Sequence, residues 1–129
     1  MGQNKILTIG IPTWNRCELL KDLLDQLTLQ IVKFKLEDKI EVLFSNNGSE
    51  DDTESLVKSY QKKYSFISYN NNGTNIGAKE NVLRAMELAS GKFWMMLGDD
   101  DRIHNDCLKG LTELLENGND LGVILDSSK

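Results

Sequence analysis

Short apolar runs alternate along the chain with longer stretches in which apolar residues return every three or four positions. The run Ile6-Leu7-Thr8-Ile9-Gly10-Ile11, stopped by Pro12, is short and rich in β-branched residues, and it predicts a buried strand. From Glu18 to about Leu29, Leu19, Leu20, Leu23, Leu24 and Leu27 recur at helical spacing and predict an amphipathic helix. Ile40–Phe44 predicts a second strand, followed by the turn Ser45-Asn46-Asn47-Gly48-Ser49 and a helix that opens at Asp52-Thr53-Glu54 and carries Leu56, Val57 and Tyr60. Phe66–Tyr69 predicts a third strand, Asn70 to Asn75 a loop, and Gly77 to about Ala89 a helix with Val82, Ala85, Met86 and Ala89 inward, stopped at Gly91. Lys92–Leu97 predicts a fourth strand that ends at Gly98 and three aspartates. A helix from about Asn105 to Leu115 and a last strand at Val123-Ile124-Leu125 follow.

Strands alternating with helices imply βαβ crossovers: an α/β fold with a mostly parallel central sheet, helices on both faces and a ligand crevice at the carboxyl ends of the strands. With 129 residues, 40% of them hydrophobic, and no linker, repeat or low-complexity tract, the chain fits one domain around one core. Each polar cluster follows a strand: Pro12 to Arg16, Asn46 to Asp52, Asn70 to Lys79, Asp99 to Arg102. In a parallel sheet these four loops meet at one edge, where a binding site is expected.

The formal net charge of −5 excludes a non-specific nucleic-acid binder, which needs a basic stripe to displace counterions. An acidic protein still binds a phosphorylated ligand when a divalent cation lies between them. Cys17 and Cys107 have no metal-like spacing and read as reduced thiols, which points to a reducing, cytoplasmic compartment. The first apolar run is too short for a signal-peptide core or a membrane span.

Asp99-Asp100-Asp101 at a strand end repel one another unless a cation compensates them. Their hard oxygens suit Mg²⁺ or Mn²⁺, held by one or two carboxylates and substrate phosphates. The plainer reading is a solvated helix-start cap. Plain readings stand elsewhere too: Asn15 as the cap of the first helix, Asn46 and Asn47 as turn residues, Asp51 or Asp52 as the cap of the second, Lys79 as a surface lysine, His104 as a helix-start surface residue, and Trp94 as core.

Four segments together resemble family 2 glycosyltransferases of the GT-A fold: Ile-Gly-Ile-Pro-Thr-Trp-Asn-Arg at 9–16, Asn-Asn-Gly-Ser-Glu-Asp-Asp-Thr at 46–53, Asn-Ile-Gly-Ala-Lys-Glu-Asn at 75–81, and Ala-Ser-Gly-Lys-Phe-Trp-Met-Met-Leu-Gly-Asp-Asp-Asp at 89–101. The resemblance implies a Rossmann-like α/β/α sandwich that binds a nucleoside-diphosphate sugar, most readily a UDP-sugar. Pro12, Thr13 and Asn15 would line the nucleotide site, with Arg16 and Lys79 serving the phosphates. Asn46 and Asn47 would replace the acidic pair with which the family holds base or ribose, a departure that bears on base preference. Asp99 and Asp101 would frame the metal, with Asp99 and Asp100 also touching the donor; a shifted register pairs Asp100 with Asp101 instead. The implied reaction is an inverting transfer to a glycan or lipid-linked acceptor, at the cytoplasmic face of the membrane in the full protein. The family's general base lies beyond the acidic motif, so residues 1–129 are expected to be a truncated donor-binding part with little activity of their own. Two other classes remain: a non-catalytic nucleotide- or partner-binding domain of the same fold, and a nucleotidyltransferase, which lacks support because no glycine-rich, lysine-containing loop follows the first strand.

Overall fold

The computed structural model describes residues 5–117; the strand expected at Val123-Ile124-Leu125 lies outside them. Strands and helices alternate as β1 (Leu7–Thr13), α1 (Cys17–Lys33), β2 (Ile40–Asn46), α2 (Thr53–Gln61), β3 (Ile67–Asn71), α3 (Ala78–Leu88), β4 (Phe93–Met96) and α4 (Cys107–Asn117). The four strands form one sheet in the order β3-β2-β1-β4, every neighbouring pair parallel. Helices α1, α2 and α4 pack together on one face while α3 lies against β1 and β2, giving the α/β/α layering that alternating crossovers require.

One face of the sheet carries the apolar core. Leu7, Ile9 and Ile11 of β1 and Ile40, Val42 and Phe44 of β2 meet Leu20, Leu23, Leu24, Leu27 and Ile31 of α1, all buried. The stripe continues past Leu29 to Ile31, which is why α1 runs a turn longer than predicted. Its end is a Schellman arrangement, in which Leu36 N–H donates to Ile31 O at 2.8 Å and Lys35 N–H to Val32 O at 3.2 Å, with Lys35 at φ 56°. A lysine in the left-handed position gave no glycine signal for that boundary.

The opposite face is polar. Asn81 of α3 is buried, its Oδ1 accepting from Ser45 Oγ at 2.7 Å and its Nδ2 donating to Ser45 O at 3.0 Å. This pair sets the rotation of α3, so Asn81 and Ala85 face the sheet and Met86, expected inward, is 47% exposed. Nearby, Glu41 is buried and accepts from Thr8 Oγ1, Ser68 Oγ, Ser90 N–H and Ser90 Oγ at 2.7–3.0 Å. Burial acts to raise this carboxyl, but the hydrogen bonds outweigh it and hold Glu41 below its ordinary value. Trp94, expected in the core, is only partly buried: its ring lies across Gly10, where a Cβ would stand 1.9 Å from the indole Cη2. Among the described residues no helix is long and apolar enough to cross a membrane.

Two stability measurements follow. Gly10→Ala forces the indole off the sheet and is expected to cost about 3 kcal/mol in urea denaturation. Since Glu41 titrates lower in the folded chain than in the unfolded one, its stabilisation is full above the ordinary carboxylate value and is lost as pH falls through the lowered one. Glu41→Gln is therefore expected to flatten the acid limb of stability against pH, and an unchanged limb would contradict the assignment.

Candidate functional site

In this strand order β2 and β4 flank β1, and the loops leaving β1 and β4 border a crevice at their carboxyl ends. Thr13, the last residue of β1, is buried and donates from Oγ1 to Asp99 Oδ2 at 3.0 Å. Arg16 Nη1 stands 3.9 Å from Asp99 Oδ1 and 3.8 Å from Asp100 Oδ2. Burial raises the Asp99 carboxyl above its usual value; the Thr13 hydroxyl and the Arg16 guanidinium oppose the rise, and the Asp100 charge adds to it.

Asp101 behaves differently from its neighbours. Its Oδ2 accepts from Gly98 N–H at 2.7 Å while its own N–H donates to Gly98 O at 3.1 Å, closing the turn on itself. Arg16 thus stands beside Asp99 and Asp100, while Asp101 spends one carboxylate oxygen on the turn.

The loop after β1 is stitched to the loop after β2. Asn15, at φ 50°, donates its N–H to Ser49 Oγ at 2.9 Å and accepts at Oδ1 from Glu50 N–H at 2.8 Å. It does not cap α1, whose N-cap position is Arg16, without a side-chain capping bond. Asp51, by contrast, serves the start of α2, accepting from Thr53 N–H and Oγ1, and also takes Cys17 N–H at 3.2 Å. A crevice of about 340 Å³ is lined by Pro12, Thr13, Trp14, Arg16, Asn81 and Asp99 among others, and a neighbouring cavity of about 390 Å³ by Asn15 to Leu19 with Asp51 and Asp52. From α3 the crevice takes Ala78, Asn81 and Val82; Lys79 is exposed, about a hundred degrees round the helix from Ala78, and does not line it. His104 is exposed, and its carbonyl accepts from Gln30 Nε2.

Asn46 and Asn47 are both buried, and neither amide faces the crevice free. Asn46 Nδ2 donates to Tyr69 OH at 3.0 Å and its Oδ1 accepts from Ser49 N–H at 3.0 Å. Burial and the Glu54 carboxylate, to which Tyr69 donates, push the Tyr69 hydroxyl up to about 12. Asn47 uses all four of its hydrogen-bonding positions: Nδ2 donates to Asn75 Oδ1 and Gly77 O, and Oδ1 accepts from Asn72 Nδ2 and Ile76 N–H, at 2.9–3.3 Å. These residues, expected to read a base, tie the loop after β2 to the loop before α3. The following Gly48, at φ 76°, is pressed so close to Thr74 that a Cβ would stand 2.7 Å from its carbonyl carbon.

The glycosyl transferase family 2 model matches residues 8–127. The chain belongs to that family. It is 35% identical over 117 residues, 90% of its length, to an abequosyltransferase of Salmonella typhimurium, and 31% identical over 113 residues, 87% of its length, to the GalNAc(5)-diNAcBac-PP-undecaprenol beta-1,3-glucosyltransferase of Campylobacter jejuni. It covers 34% and 35% of those proteins, about a third of their length. Among solved structures it superposes on S. aureus TarS bound to UDP-GlcNAc with a TM-score of 0.75 at 24% identity, over 86% of this chain and 31% of that one. A mannosyltransferase from Pyrobaculum calidifontis in complex with GDP-Man and Mn²⁺ aligns with a TM-score of 0.65 at 22% identity, over 75% of this chain and 28% of that one. These structures establish the GT-A fold.

A divalent cation fits the acidic turn on the geometry of this chain. Asp99 and Asp100 already converge on one positively charged nitrogen, and their donors are hard oxygens. Among the described residues no three His, Cys, Asp or Glu side chains gather as a metal cluster, and a pair of carboxylates would leave positions for phosphate oxygens.

Asn47→Asp keeps both acceptor contacts but sets a carboxylate against Asn75 Oδ1 and Gly77 O. It is expected to lower stability by about 3 kcal/mol in urea denaturation, whereas a mere turn residue would tolerate the change.

Proposed function

We propose that this chain is the donor-binding part of a metal-assisted, inverting glycosyltransferase that moves a sugar from a nucleoside-diphosphate sugar, with a UDP-sugar as the leading candidate, to a glycan or lipid-linked acceptor. The observation that carries the reading is the meeting of Thr13, Arg16, Asp99 and Asp100 at the parting of β1 and β4, where an α/β sheet binds nucleotides. The names of the relatives support the reaction class, and the undecaprenol-linked substrate in the Campylobacter protein's name supports the acceptor class. Such an acceptor is consistent with work at the cytoplasmic face of a membrane.

In this reading Pro12, Thr13, Trp14 and Asn15 form the wall against which the nucleoside lies, and the uncapped start of α3, with Asn81 and Val82, forms the opposite wall. Thr13 orients Asp99 through its hydroxyl, so the carboxylate's second oxygen points to the cation position. Asp99 and Asp100 hold Mg²⁺ or Mn²⁺, with Asp101 fixing the turn that presents them. The ion, when bound, supplies charge neutralisation for the departing diphosphate. Transfer is one displacement: an acceptor hydroxyl oxygen, its proton passing to a general base, forms the new bond to the anomeric carbon as the bond to the diphosphate oxygen breaks, with inversion. Lys79, exposed at the first turn of α3, serves the phosphates only if its side chain swings over the crevice rim.

Asn46 and Asn47 hold loops in this reading and do not discriminate among bases. Calorimetric titration with UDP, GDP and dTDP, each with Mn²⁺ and with EDTA, tests the proposal. Binding is expected only with Mn²⁺ and is expected to weaken at least about tenfold in Asp99→Asn. Nucleotide binding indifferent to both metal and Asp99 would instead favour a non-catalytic binding domain.

A further inference from the structure

Among the described residues Arg16 is the one cation paired with the acidic turn, and the way it is placed is informative. Its Nη1 is nearly equidistant from Asp99 Oδ1 and Asp100 Oδ2, at 3.9 and 3.8 Å, too far for a hydrogen bond to either. Half of its side chain is exposed, it makes no side-chain hydrogen bond among the described residues, and it borders both the crevice and the adjoining cavity. A guanidinium that anchors a structure grips a carboxylate with two short parallel bonds; this one hovers as a counter-charge between two carboxylates.

We propose that Arg16 is a tethered counter-ion, holding the place of the divalent cation until the ion arrives and then turning to the diphosphate. The inference rests on the metal-assisted reading above. Two positive groups cannot share the same pair of carboxylates without mutual repulsion, so the incoming ion expels the guanidinium. Arg16 sits at the N-cap position of α1, so its backbone stays fixed while its side chain is free to swing to the crevice or the cavity beside it. The expelled side chain then meets the anionic donor, so loading of the ion promotes nucleotide binding by more than direct bridging, and nucleotide binding promotes loading by the same factor.

The experiment compares the chain with Arg16→Gln and Arg16→Lys, first for Mn²⁺ affinity without nucleotide, followed by the free-ion paramagnetic resonance signal, and then for UDP affinity at saturating Mn²⁺. Arg16→Gln is expected to bind Mn²⁺ about tenfold more tightly and UDP about tenfold more weakly, and Arg16→Lys to match the parent in the first measurement. The opposite movement of the two affinities is the signature, because a merely damaged fold weakens both. Mn²⁺ affinity in Arg16→Gln equal to or below that of the parent overturns the proposal. If that occurs while Asp99→Asn still abolishes Mn²⁺ binding, the metal-assisted reading stands and only the role of Arg16 falls; if no form of the chain binds Mn²⁺, both fall together.

Discussion

A single hydrogen bond across the gap between two diverging strands organises the site. β1 and β4 pair from Leu7 with Phe93 to Gly10 with Met96, and Leu97 N–H still reaches Gly10 O at 3.0 Å. Beyond that point β1 continues to Thr13 alongside β2 while the other strand turns away. The Thr13 hydroxyl bridges to Asp99 across this opening and joins residues far apart in sequence. Without it the partly buried Asp99 would lose its strongest hydrogen-bond compensation, and the acidic turn would lose its registration against the loop that carries Arg16.

The two faces of the sheet are held by different physics. Beneath α1 the contact is aliphatic and non-directional, so it fixes proximity more than angle. Beneath α3 it is directional bonds in two sets, one gathering Thr8, Ser68 and Ser90 on Glu41 and one running from Ser45 through Asn81 and Asn72 to Asn47. Among the described residues no buried side-chain polar atom lacks a partner, which is the condition under which such a network stabilises a fold. The consequence is functional: the wall of the crevice made by Ala78, Asn81 and Val82 is set by hydrogen-bond geometry, which tolerates little sliding.

The order of strands and helices was legible because the periods of the pattern switch cleanly between short β-branched runs and leucine stripes. The polar clusters after each strand marked the edge where the site lies. What the sequence concealed were choices between chemically similar readings of one residue. Asn81 competed with the apolar stripe of α3 and won because a buried amide with two partners outweighs a methionine left half exposed. Asn46 and Asn47 stand at motif positions, and only three-dimensional partners from β3 and the loop before α3 reveal that their amides are already occupied. The register of three identical aspartates carries no internal label, so it took the turn at Gly98 to separate Asp101 from the other two.

Trp94 lying flat over Gly10 binds the history of two positions together. A residue with a Cβ enters at 10 at little cost only once the ring at 94 has been traded for something smaller, and a small residue at 94 over a bare glycine leaves a hole on the polar face. Either single change passes through a poorer protein than the pair does. Lineages descended from this one should therefore keep both residues or have exchanged both, and intermediates carrying one without the other should be rare.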